Sequence, residues 1–289
     1  MEGKQYHHAL PLELIRMVIE SLTSEFALSS PHQKEIFLVM YTCRDIYSWM
    51  APILYRSVTL NDARGVELFH QSLRPALLYT RAIHVEGQDL VAEPDPVYQL
   101  VSALEGRIER LCLPSKFTNL ESDLDPIMVS ELTIPSDRAV QVSRCNWIRP
   151  TKLRLTLTAE KVPKARAKDH FPRALPADRN GKPFQITEIA FESCGWCERC
   201  FTARLSRFFS LHSSLRRCIL VLYSLDNEKR EKSKKFILEK LPMFQRKDLE
   251  VRAAFLLHQD FDSLSFSRLE ADGEDYWKKV AELSEVESS

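Results

Sequence analysis

The sequence predicts an α/β protein in which a helical segment over residues 8–56 precedes a largely parallel sheet over residues 57–289. In the first segment, apolar residues recur at the three- and four-residue spacing of amphipathic helices. After residue 56, eight short apolar runs alternate with helix-like stretches, a pattern typical of parallel sheets. A chain of 289 residues with 44% apolar and 28% charged residues is long enough and apolar enough to bury a core.

The helical segment contains three apolar stripes. Pro11 fits the first position of a helix, and Ser30 with Pro31 marks a second start. The third stripe follows a bend near Arg44, and Pro52 is expected to end or kink that helix. The stripes are Leu14, Ile15, Val18, Ile19 and Leu22; Ile36, Phe37, Met40 and Cys43; and Ile46, Tyr47, Met50, Ile53 and Leu54.

The predicted strands begin at the apolar runs 57–60, 82–86, 108–113, 131–134, 152–157, 186–191, 217–223 and 249–257. Their starts lie 21 to 34 residues apart, which indicates stacked structural units similar to leucine-rich repeats. Three runs share one apolar spacing, with residues at the first, fourth and sixth positions. These residues are Ile108, Leu111 and Leu113; Ile186, Ile189 and Phe191; and Leu215, Cys218 and Leu220. Trp277, Val280, Leu283 and Val286 form a stripe on a short final helix, which is expected to cap the last unit or, alternatively, to bind a partner.

The charge is zero overall but unevenly distributed. Residues 86–137 carry 11 acidic and 3 basic residues, and residues 138–183 carry 12 basic and 3 acidic residues. Segment 161–184 is basic, contains several prolines and has few large apolar residues, so it is predicted to be a mobile loop. A patch for nuclear import or for an anionic partner is the alternative interpretation.

Composition excludes several classes of function. The seven glycines are too widely separated to form a dinucleotide-binding or Walker phosphate loop, and the zero net charge gives no indication of nucleic-acid binding. No apolar run approaches the length of a membrane span, and no cofactor is predicted. Seven cysteines without an apolar export signal suggest an intracellular protein, in the cytoplasm, the nucleus or both.

The helical segment resembles an F-box, particularly the fungal form. The resemblance rests on Leu10-Pro11-Leu12-Glu13-Leu14-Ile15 at its start, and on the pair Cys43-Arg44 followed by 51–60 at its end. It implies binding to the Skp adaptor of a cullin–RING ubiquitin ligase, with the remaining chain holding an unidentified protein substrate. It also implies a role in ubiquitin-dependent degradation without catalysis by this chain. The implied adaptor-binding residues are Leu10, Pro11, Leu14, Ile15, Val18, Ile19, Cys43 and Arg44.

A cysteine cluster offers a different function. Cys194, Cys197 and Cys200 have the spacing of zinc ligands, and His212 or Cys218 could be the fourth ligand. Cys194-Gly195-Trp196-Cys197 also resembles the active site of thioredoxins, in which a helix N-terminus lowers the pKa of a thiol. The favoured interpretation is structural, with the last two cysteines at the start of a helix. The alternative to a substrate receptor is therefore a zinc-binding or thiol-redox protein.

The remaining histidines do not form a catalytic or metal-binding motif. The eight residues show no H-E-x-x-H pattern, and the few glycines leave no G-x-S-x-G turn for a nucleophilic serine. His84 lies between Ile83 and Val85 in a predicted strand, so it should point away from them and be exposed. The sequence thus predicts a protein that is not an enzyme.

Overall fold

Eight parallel strands form one sheet, and their spatial order is their order in the chain. The computed structural model describes residues 14, 16–17, 38, 44–71, 78–86, 90, 95–114, 117, 126–136, 145–157, 175–177, 181–193, 198–224, 227–257 and 275–285. Each inner strand pairs with the preceding and the following strand. This arrangement confirms the predicted α/β class and the parallel sheet.

Every predicted apolar run overlaps a strand. Strands β4 and β5 begin four residues before their predicted runs, because the alternation of burial changes phase at Ser130 and Thr151. At this point the Thr151 hydroxyl donates a hydrogen bond of 2.8 Å to the carbonyl of Ser130. The strands are β1 Ser57–Leu60, β2 Ala82–Val85, β3 Arg110–Cys112, β4 Ile127–Ser136, β5 Ile148–Leu157, β6 Glu188–Ser193, β7 Arg217–Ser224 and β8 Glu250–Leu257.

Helices connect several of these strands, and two of them begin at an aspartate that caps the helix. Asp62 accepts a hydrogen bond of 2.5 Å from the backbone of Gly65, and Asp275 accepts one of 2.9 Å from the backbone of Lys278. The helices are α1 Arg44–Leu54, α2 Ala63–Gln71, α3 Asp95–Ala103, α4 Glu198–Leu211, α5 Asn227–Lys240 and α6 Tyr276–Glu285, with a 3-10 turn at Leu241–Met243.

The core lies between one face of the sheet and helices α2 to α5. Two apolar positions recur in successive strands, and the helices add Val66, Leu100, Phe201 and Ile237. All nine residues of the three similar runs are buried here, as expected for stacked units. The first position is Ile83, Leu111, Leu132, Leu153, Ile189, Cys218 and Val251, and the second is Val85, Leu113, Ile134, Leu155, Phe191, Leu220 and Ala253.

Helix α1 leads directly into the first strand and packs beside it. Met50 and Ala51 are buried there against Tyr55 and Tyr79. The expectation that the helix ends at Pro52 is wrong: the backbone N–H of Tyr55 donates to the carbonyl of Ala51 at 3.0 Å, so helical bonding continues past the proline. Of the two preceding predicted helices, only residues 14, 16–17 and 38 are described, and all four are helical.

The end of the predicted basic loop is packed against the core. Leu175 and Phe184 are buried, and the backbone N–H of Phe184 donates to the carbonyl of Pro176 at 2.9 Å. A bridge between Ala177 and Pro183 closes this turn. Two large apolar residues near the C-terminal end of the predicted segment 161–184 are thus buried in the core. Residues 161–174 lie outside the described part of the chain.

No helix in the described ranges has the length and apolar character needed to cross a membrane.

Candidate functional site

The face of the sheet opposite the core carries a ladder of charged residues, and we call it the polar face. In six successive strands, the residue just before the first core position is charged. Because neighbouring residues of a strand point to opposite faces, these charges lie away from the core. The strand register places them side by side, with alternating sign: Arg110, Glu131, Lys152, Glu188, Arg217 and Glu250.

Ion pairs connect the second half of the ladder. One carboxylate oxygen of Glu188 lies 3.3 Å from Lys152 Nζ, and the other lies 3.1 Å from an Arg217 guanidinium nitrogen. Arg217 Nε in turn lies 3.3 Å from Glu250. Opposite charges on neighbouring strands stabilise this pairing, and a slip of one residue would remove them from the face. The ladder therefore adds to the preference for the register that the core positions set.

A buried ion pair lies one row further along the strands. Arg154 Nε contacts a Glu192 carboxylate oxygen at 3.0 Å, and the side chains are 3% and 0% exposed. The hydroxyl of Thr156 donates a 2.6 Å hydrogen bond to the other oxygen of Glu192. Burial by itself would lower the pKa of Arg154, but Glu192, Tyr276 and Glu131 together outweigh burial and raise that pKa. The guanidinium therefore stays charged.

Helix α6 covers these buried charges. The indole N–H of Trp277 donates a 3.2 Å hydrogen bond to Glu131, and the Tyr276 ring stacks 3.9 Å from the Arg154 guanidinium carbon. Burial raises the pKa of Glu131, although Arg154 and the Trp277 hydrogen bond oppose the shift. The helix expected to cap the last unit does contact the last strand, β8, and it also reaches across the polar face to Glu131 and Arg154. The helix lies across a face of the sheet, with Leu283 40% exposed.

The other half of the surface under α6 is apolar. Val280, Tyr276 and Trp277 are buried together with side chains of the last three strands, which belong to Ala190, Ile219, Val221, Tyr223, Ala254 and Leu256. The surface that α6 covers is thus divided into an ionic half on β4 to β6 and an apolar half on β6 to β8. It accommodates both the aromatic side chains of α6, at Tyr276 and Trp277, and the aliphatic side chain of Val280.

The polar face of β2 and β3 contains a histidine and a cysteine in register. His84 points away from Ile83 as expected, but its side chain is only 13% exposed, so the expected exposed position is wrong. Burial lowers the pKa of His84, although Glu86, 3.3 Å away, opposes the shift. Burial raises the pKa of Cys112, so this thiol is protonated at neutral pH. The pair therefore provides no activated thiolate.

The structure describes only part of the predicted cysteine site. Cys200 lies in the first turn of α4, consistent with the structural interpretation, and Cys194 and Cys197 fall outside the described residues. Cys218 is fully buried in the core, where burial raises its pKa. Among the described residues, no group of three or more histidine, cysteine or acidic side chains could hold a metal ion.

His212, the other suggested ligand, is buried beside an aromatic ring. It directly follows α4, its ring centroid lies 4.6 Å from that of Phe208, and its Nε2 atom makes no hydrogen bond to any residue that the structure describes. Burial lowers its pKa from 6.5 to about 4. The structure thus favours the neutral imidazole.

We expect His212 to make stability depend on pH. In the unfolded chain its pKa is near 6.5, so acidification protonates the unfolded state first and removes stability as the pH falls from 6.5 to 4. The loss should reach about 2–3 kcal/mol. His212→Leu should therefore flatten the dependence of melting temperature on pH over this range. His70→Leu, at an exposed position of α2, is the matched control and should leave the dependence unchanged.

Two of the predicted adaptor-binding residues are described. Leu14 is helical and 45% exposed, and nearby Met17 is 63% exposed. Arg44 is exposed and begins α1. The other six, Leu10, Pro11, Ile15, Val18, Ile19 and Cys43, lie outside the described residues.

The polar face was not predicted, although the sequence contains its signal. In six runs a charged residue immediately precedes the first core residue of the strand, as in Arg110-Leu111 and Glu131-Leu132. The signs alternate from one run to the next, and this regularity becomes visible only when the runs are aligned by their core positions.

The molecule is thus an α/β protein of stacked strand units, with a divided polar and apolar face covered by its C-terminal helix. Searches with this chain found no matching protein family, no matching curated protein and no matching solved structure.

Proposed function

We propose that this protein is a substrate receptor of a Skp–cullin–RING ubiquitin ligase. In this proposal the helices of residues 8–56 form an F-box that binds the Skp adaptor, and the sheet domain is an irregular leucine-rich-repeat-like domain that holds a protein substrate. The chain itself transfers no ubiquitin. The adaptor assignment still rests on the resemblance to an F-box, which is carried by the segment from Leu10 through Ile15 and by the pair Cys43-Arg44.

The observation that best supports the proposal is the exposure of apolar side chains at helical positions of this segment. Leu14 and Met17 lie together in the first predicted helix, and Leu38 is 70% exposed in the second. An apolar helix face that is accessible to solvent suits insertion into a groove of a partner. The direct passage from α1 into β1 also gives the expected order, with the adaptor-binding helices immediately before the substrate domain.

We expect Leu14→Asp to abolish copurification of the full chain with a co-expressed Skp adaptor. A buried leucine contributes roughly 1.5–3 kcal/mol to an interface, and a buried unpaired carboxylate adds a further penalty. Leu68→Asp is the matched control, because Leu68 lies on α2 with a similar exposure of 54%. It should leave copurification intact. Both variants should keep the circular dichroism spectrum of the wild-type chain.

Two results would contradict the proposal. The wild-type chain could fail to copurify with the adaptor, or Leu14→Asp could bind it as well as wild type does. A folded Leu14→Asp variant that loses the adaptor while Leu68→Asp retains it would support the proposal.

A further inference from the structure

The surface between α6 and the sheet resembles an exchangeable interface more than a permanent core. Buried ions are weak evidence for a permanent core, because replacing a buried ion pair with apolar residues is often neutral or stabilising. Yet α6 covers Arg154, Glu192 and Glu131, all of which are buried. When such a surface is uncovered, the ions regain hydration, so exposure costs less free energy than exposure of an equally large apolar surface.

The position of α6 in the chain also allows it to leave the sheet. The helix has ten residues, fewer than an isolated helix needs to be stable in water, so its helicity depends on the face it covers. Seventeen residues, 258–274, separate the end of β8 from Asp275. The eight paired strands and the core on their other face do not include α6. It can therefore open as a local unit while the sheet stays folded.

We propose that the surface under α6 is a binding site for an amphipathic helix of another protein, and that α6 is its internal occupant, which the incoming helix displaces. This proposal goes beyond the ligase assignment, because it holds whether or not the N-terminal helices bind an adaptor.

The contacts of α6 define the chemistry of the partner. Arg154 accepts an aromatic ring stacked on its guanidinium, and the Glu131 carboxylate accepts a hydrogen bond from an indole N–H. Lys152 Nζ lies 5.5 Å from the Trp277 ring centroid and adds a second cation–π contact. The apolar half then accepts an aliphatic residue one turn later, where α6 has Val280. The partner helix thus carries two adjacent aromatic residues, one of them tryptophan, followed by an aliphatic residue.

A competition experiment tests this proposal. The probe is a fluorescein-labelled peptide of residues 275–289, and the receptors are the full wild-type chain and the full chain with Tyr276→Ala and Trp277→Ala. The internal helix of the wild-type chain competes at a high effective concentration, so the peptide should bind the double variant at least about tenfold more tightly. A peptide with the same two alanines should bind neither chain. Absence of peptide binding to the folded double variant would overturn the proposal.

Hydrogen exchange of the wild-type chain provides a second test that needs no variant. If α6 opens locally, its amides should exchange at least about a hundredfold faster than those of β6 and β7. Exchange of α6 at the rate of those central strands would show that the helix opens only with the whole sheet, and would overturn the proposal. This measurement decides the question if the double variant does not fold.

Discussion

Arg154→Met should destabilise the protein more than removal of any other ion-pair partner described above. The substitution keeps most of the side-chain volume but leaves the Glu192 carboxylate without its cation in a site where that carboxylate is 0% exposed. The hydrogen bond from Thr156 remains, yet one neutral donor does not replace a guanidinium. We expect a loss of about 3–5 kcal/mol in the free energy of unfolding. Urea unfolding followed by circular dichroism measures it directly.

Two further variants separate the buried charge from other effects. Arg216→Met removes an ion pair of similar length, 3.2 Å to Asp248, but both of its side chains are more than half exposed, so stability should hardly change. Adding Glu192→Gln to Arg154→Met removes the unpaired charge and should restore at least about half of the loss. A loss below about 1 kcal/mol in Arg154→Met, or no recovery in the double variant, would contradict the role assigned to the pair.

The sheet was predictable because its signal is local. A strand with a buried face needs a short apolar run, and such a run marks each of the eight strands, from Ser57–Leu60 to Glu250–Leu257. The recurrence of the runs every 21 to 34 residues also predicted stacked units, and in the sheet each strand pairs with its chain neighbour. The early start of β4 was missed because Ser130 interrupts the alternation, so the sequence beside Ile127 does not read as part of the same strand.

The covered face was harder to predict because its contacts join residues far apart in the chain. The hydrogen bond between Trp277 and Glu131 spans 146 residues. A stripe of Trp277, Val280 and Leu283 identifies one apolar side of a helix, but not the surface against which it packs. Charged residues such as Arg154 are usually exposed, so sequence alone gave no reason to bury that residue. Its burial depends on Glu192, which lies on the neighbouring strand, and on Tyr276 above it.

The sequence located the adaptor-binding candidates but could not determine their exposure. Leu14 belongs to a stripe that would be equally suitable as an internal core or as a partner surface. Its 45% exposure favours the second use for this residue. The same ambiguity affected Leu175, which looked like an isolated apolar residue in a basic loop but is buried in the main core. In both cases tertiary packing determines whether the side chain is exposed or buried, and the spacing of apolar residues along the chain does not reveal that packing.

Phe191→Ala should produce a loss as large as that of Arg154→Met, on the opposite face of the sheet. Phe191 is fully buried, lies between Leu155 and Leu220 in the strand register, and packs edge-to-face on Phe208 with ring centroids 5.4 Å apart. Truncation leaves a cavity among neighbours that are held by β5 and β7. We expect a loss of about 3–5 kcal/mol in the free energy of unfolding, measured by urea unfolding.

The form of the unfolding transition tests the architecture as well as the residue. Because one continuous core runs from Leu60 in β1 to Ala253 in β8, a cavity at Phe191 should lower the stability of the whole sheet and leave one cooperative transition. Stacked units that are only weakly coupled would instead give two transitions, with the units around β6 melting first.

Two control variants show whether the loss comes from the cavity. Phe191→Leu, which restores most of the volume, should recover all but about 1.5 kcal/mol of the stability, and the exposed Leu68→Ala should change stability by less than about 0.5 kcal/mol. A biphasic transition in Phe191→Ala would contradict a single core, and a loss equal to that of Leu68→Ala would contradict the central position of β6.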